Sequence, residues 1–166
     1  MENLLGDWQA QLVVVGTCAY AMLLGGAIGV ERELKNRPAG FRTHMLIAGA
    51  AALLIGLGEI LGGRFSATDF RDIVHVDPIG LIQATVAAVG FLGAGTIFRS
   101  EEGAVVSGIT TAASLLMAAT IGIAAGLHKF VLAFTATLLT LVVLMAVSWI
   151  ERRFGPRNGS ESKTHD

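Results

Sequence analysis

The stretch Gly29–Leu46, GVERELKNRPAGFRTHML, lies between two long apolar runs and restricts the fold more than any other part of the chain. Glu31, Arg32, Glu33, Lys35, Arg37 and Arg42 crowd into it, and Pro38 and Gly40 forbid one unbroken helix across it. Apolar segments of bilayer length on both sides of such a turn make a membrane hairpin turning in water.

Apolar runs occupy residues 12–30, 43–61, 79–98, 109–125 and 130–150. Each is close to the roughly 20 residues that cross hydrocarbon at about 1.5 Å per residue. They are continuous rather than alternating, so helices, not barrel strands, must satisfy their backbone groups in lipid. Composition agrees: 53% of residues are hydrophobic and 15% charged, against about 25% charged in soluble domains. These features predict an all-α integral membrane protein with five spans within residues 1–150 and a disordered polar tail over 151–166. No Lys or Arg precedes the first run, as a signal peptide would require, so that run is expected to be retained. Nine basic residues (Arg32, Lys35, Arg37, Arg42, Arg99, Arg152, Arg153, Arg157, Lys163) fall on the side of the first turn and three (Arg64, Arg71, Lys129) on the other. Positive charge favours the cytoplasmic face, which predicts the N-terminus outside and the C-terminus inside.

The net charge of −1, with basic residues at span ends rather than along one face, argues against a nucleic-acid partner. Walker, zinc-protease and serine-elbow motifs are absent from the sequence, and no enzyme is expected. Cys18 stands alone in an apolar run and reads as packing. His44, His75, His128 and His165 are scattered. Asp69, Asp72, His75 and Asp77 read as a solvated outer loop, and Glu59, alone among the acids within a span, as facing headgroups. Neither a metal nor a cofactor is expected.

Small residues mark helix-packing positions. Ala21, Gly25 and Gly29 recur every four residues, and Gly90, Gly93 and Gly95 of GFLGAG mark either a close helix crossing or a local unwinding around a site. Polar residues gather at one level: Glu31, Arg32 and Glu33; Arg42, Thr43 and His44; Thr96 and Arg99; Ser107, Thr110, Thr111 and Ser114. Of these, Glu31, Arg32, Arg42, Thr43, Arg99, Thr110 and Thr111 are the candidate functional layer, with Arg42 and Arg99 as carboxylate or anion binders. Local pairing of Glu31 with Lys35 and of Glu33 with Arg37 at helical spacing is the simpler alternative.

Two blocks of these residues resemble the MgtC/SapB family of bacterial inner-membrane proteins. One runs through Gly26, Ile28, Gly29, Glu31, Arg32, Ala39, Gly40, Arg42, Thr43 and Leu46, the other through Gly90–Gly95, Ile97, Arg99, Gly108, Thr110, Thr111, Ala112 and Ala113. The resemblance implies a five-helix inner-membrane domain linked to growth at low Mg²⁺, survival inside host cells and acid stress. It further implies either a Mg²⁺ transporter working as a homo-oligomer or a regulator of other membrane proteins, such as the F-type ATP synthase. Ser107, Leu116 and His128 stand where the family has a basic residue, Trp and Gly, and this sequence holds no residues for the soluble C-terminal domain many members carry.

Overall fold

The structure, a computed structural model, describes residues 8–66, 77–99 and 106–154. Five helices follow in order: α1 (Trp8–Leu34), α2 (Phe41–Ser66), α3 (Pro78–Gly95), α4 (Ile109–Gly126) and α5 (Phe130–Phe154). The first four are long and apolar enough to cross a membrane, and α5 is apolar over Phe130–Ala146, the part of it whose side chains are described without interruption. The predicted runs therefore mark the helices, and the differences lie at their ends. The longest, α1, has 27 residues and spans about 40 Å. α5 continues through Phe154 into what was expected to be tail. The remainder of the tail and most of the outer loop, with Asp69, Asp72 and His75, lie outside the described residues.

The first turn is shorter than its charges suggest. Glu31, Arg32 and Glu33 are helical, and the chain reverses only between Lys35 and Gly40. Asn36, in the left-handed region at φ 52°, ends α1. Its N–H donates to Glu33 O at 2.9 Å and that of Arg37 to Arg32 O at 3.0 Å, which satisfies the last carbonyls before Pro38 stops the helix. The same pair of bonds ends α4: His128, at φ 58°, donates to Ala125 O and Lys129 to Ala124 O. α3 begins with Asp77 accepting from Ile79 N at 2.9 Å, and Pro78 is its first residue.

α3 stops at Gly95 rather than Phe98, because Thr96 folds back to donate to Gly93 O from both its N–H and its hydroxyl. The predicted loop that follows contains a short antiparallel ladder, β1 (Phe98–Arg99) on β2 (Val106–Ser107). Gly108, at φ 96°, then turns the chain into α4 against the backbone of Thr96 and Ile97, where a Cβ has no room.

α4 lies at the centre and packs against all four other helices. A Cβ on Gly25 would collide with His44 O and Ala48 of α2, and one on Gly29 with Phe41 and Gly40. From the other side, Gly122 and Gly126 of α4 face the backbone of Ala48 and Ala52. Helices α1, α2 and α4 thus meet backbone to backbone around the buried Ala48, Ala51 and Ala52. α3 packs on α4 and α2 at the periphery, with Gly93 meeting Ala112; Gly90 and Gly95 face open space among the described residues. α3 stays helical through GFLGAG.

Polar atoms in the apolar body are satisfied locally. Thr17, Thr85, Thr137 and Thr140 donate to carbonyls three or four residues back, and Cys18 packs with its Sγ toward Gly49 O. Leu23, Phe91, Val131 and Leu139 point outward, as a lipid-facing surface requires.

Candidate functional site

The charged cluster is built on the last turns of α1. Glu31 follows Ile28 by three positions and Leu24 by seven, so it shares a buried side of the helix; it is 6% exposed and Arg32 2%. Arg32 Nε donates to Glu31 Oε2, and the Lys35 ammonium, one turn on, forms an ion pair with Oε1. Lys35 also reaches across to α5, donating to Leu144 O at 3.2 Å. Expected pairing therefore holds for Glu31 with Lys35. Glu33 instead accepts the N–H of Phe41 at 2.9 Å and caps the first turn of α2.

A second buried group joins α2 to α4. His44 is wholly buried; its Nδ1 lies 2.9 Å from Gly40 O and its Nε2 3.0 Å from Ser114 Oγ. The carbonyl only accepts, so Nδ1 carries a proton. Ser114 Oγ also lies 2.8 Å from Thr111 O, and a hydroxyl has one hydrogen to give. If it donates to Nε2, the ring is neutral. If it donates to Thr111 O, Nε2 must donate too and the ring is cationic. The ring's charge and the direction of the Ser114 hydroxyl are thus locked together.

The candidate layer divides accordingly. Glu31, Arg32 and Thr111 are buried together with His44 and Ser114, whereas Arg42, Thr43 and Thr110 are exposed. The Arg99 backbone lies in β1, and its side chain lies outside the described residues. Helical spacing carried the missing signal: His44 lies four residues before buried Ala48, and Ser114 four before buried Ala118. Arg42 and Thr43 fall off that face despite their charge and polarity.

Beside the cluster a groove of about 280 Å³ opens between α1 and α5, walled by Ala27, Val30, Leu34, Leu141 and Met145. Glu31 and Lys35 line it as well. At the far end of the bundle, His128 Nδ1 lies 3.7 Å from Glu59 Oε2 in an exposed pair. Among the described residues no three His, Cys, Asp or Glu side chains are grouped to hold a metal ion.

Residues 18–153 match the MgtC family. Protein SapB of Bacillus subtilis is 33% identical over 90% of this chain and 63% of its own length. A protein of Escherichia coli K12 named "Putative magnesium transporter YhiD" is 36% identical over 75% of this chain and 55% of its own. Protein MgtC of Brucella abortus is 35% identical over 82% of this chain and 52% of its own. The chain thus spans between half and two-thirds of the length of these relatives. No solved structure matches. A family match that covers α2, α3 and α4 whole, most of α1 and nearly all of α5, with both sequence blocks inside it, makes this chain a multi-pass membrane protein of the MgtC family.

Proposed function

We propose that this protein is a non-enzymatic component of the bacterial inner membrane, with its basic hairpin in the cytoplasm, that serves adaptation to magnesium limitation or related stress by acting on other membrane proteins. The observation that carries this reading is the state of Glu31, the one buried acid among the described residues. Mg²⁺ takes hard oxygen ligands, usually carboxylates, and parts with its waters reluctantly. Glu31 is already neutralised by Arg32 and Lys35, so among the described residues the bundle of a single chain offers Mg²⁺ no unpaired acid at depth. The exposed face of the layer, with Arg42, Thr43 and Thr110, is then available for docking.

The name of the Escherichia coli relative favours a second reading, Mg²⁺ transport along a path between protomers. Purified protein in liposomes separates the two. The modulator reading expects no Mg²⁺ flux above that of empty vesicles, together with loss of low-Mg²⁺ growth for Arg42→Ala at normal membrane abundance. Saturable Mg²⁺ uptake would overturn it.

A further inference from the structure

We propose that His44 is a proton-binding site, in which uptake of one proton at Nε2 turns the Ser114 hydroxyl from the ring to the carbonyl of Thr111. The supply of hydrogens carries this. Three contacts run through the group: Nδ1 to Gly40 O at 2.9 Å, Nε2 to Ser114 Oγ at 3.0 Å and Ser114 Oγ to Thr111 O at 2.8 Å. A neutral imidazole and one hydroxyl bring two hydrogens to these contacts, whereas an imidazolium and the hydroxyl bring three. His44, Thr111 and Ser114 are all buried, so solvent does not supply the third. Only the protonated ring fills every contact. With Nδ1 held on Gly40 and the hydroxyl on Nε2, the neutral ring leaves Ser114 Oγ against the Thr111 carbonyl with no hydrogen between them.

The surroundings decide when the proton is taken up. Burial disfavours a charge on the ring, and the Gly40 carbonyl favours one. The helices α1, α3 and α4 pack against α2. From α1, Arg32 opposes the charge and Glu31, itself paired with Arg32 and Lys35, supports it. The sequences of α3 and α4 contain no charged or titratable side chain, and Glu33, Arg37 and Arg42 at the hairpin are exposed. The ring is therefore neutral in neutral solution, and the hydrogen bond still to be made favours the proton as pH falls. His44 lies one helical turn from half-buried Gly40, a short way from the water around the hairpin. In both states the ring joins Gly40 to Ser114, so the proton leaves the bridge between the hairpin and α4 intact and reverses the direction of its Nε2–Oγ hydrogen bond.

The test uses the full-length protein in lipid nanodiscs with ¹⁵N-labelled histidine. The sequence has four histidines, and His75→Gln, His128→Gly and His165→Gln together leave His44 as the one signal. The expected result is that Nε2 passes from an unprotonated to a protonated nitrogen between about pH 8 and about pH 5, while Nδ1 keeps its proton throughout. Ser114→Ala should lower the proton affinity of the ring about tenfold, the difference between a charge-assisted and a neutral hydrogen bond, and Arg32→Met should raise it. Ser114→Cys, a weak donor and acceptor of similar size, reads the same point if Ser114→Ala does not accumulate. In the folded protein, Nε2 still unprotonated at about pH 5, or protonated across the whole range, would overturn the proposal. So would an unchanged proton affinity in the Ser114 variant, or a ring whose Nδ1 loses its proton at any point in the titration.

Discussion

Replacing Gly122 by Ala adds one methyl group to α4 at a point where there is no room for it. The added Cβ would meet O, C and Cα of Ala48, all at 3.0 Å or closer. These are backbone atoms of a helix clamped from its other side by Gly25, so no rotamer change relieves the clash and α2 itself must shift. Overpacking of this kind typically costs about 1–3 kcal/mol, and rigid backbone puts this site at the upper end. The better helix propensity of Ala returns at most about 1 kcal/mol, for a net loss of about 2 kcal/mol. Gly90→Ala is the control, since no atom of the described residues lies within 4 Å of its Cβ position. Here propensity alone acts, and the change is neutral or stabilising by up to about 1 kcal/mol. Two chemically identical substitutions should therefore differ by about 2–3 kcal/mol. Reversible unfolding in mixed micelles of rising SDS fraction, followed by far-UV circular dichroism, reads the difference. Coincident midpoints for Gly122→Ala and Gly90→Ala would refute the backbone-to-backbone packing of α2 and α4.

Glu31→Gln leaves the buried Arg32 without its carboxylate and should destabilise by about 3–5 kcal/mol, seen as a collapse of folded yield in detergent that Glu31→Gln with Arg32→Met partly reverses. His128→Gly relieves a left-handed residue worth about 1–2 kcal/mol, against an exposed Glu59 pair worth at most about 1, so the thermal midpoint should rise. Ser114→Ala removes the partner of His44 Nε2 and should cost about 1 kcal/mol. In ¹⁵N spectra the shift should be confined to Nε2, with Nδ1 still protonated against Gly40 O.

The helices were legible because lipid leaves the backbone few choices, and an apolar run of span length in such a chain is a helix. Their ends were not, because caps depend on local hydrogen bonds that composition does not reveal. Asn36 and His128 end helices by adopting positive φ, which glycine would have advertised and they do not. The charged hairpin misled for a related reason. Glu31 and Arg32 look like solvated turn residues in sequence, yet mutual neutralisation lets both enter the bundle. Charge drew attention to Arg42, whereas the 3.6-residue period that makes Ala48, Ala51 and Ala52 buried also selects His44. Gly25 and Gly29 could be read as a contact strip because their spacing repeats. Spacing alone did not distinguish Gly93, which meets α4, from Gly90 and Gly95, which do not.

The interlocked carbonyls and glycines of α1, α2 and α4 limit how this bundle can move. Sliding one of these helices along another by a fraction of a turn drives an oxygen into a Cα, so the trio has discrete settings, the next one about 5.4 Å away. Small rearrangements are left to the helices outside it, α3 and α5. A displacement of the hairpin would therefore be accommodated by a tilt of those two rather than by a partial slide within the trio.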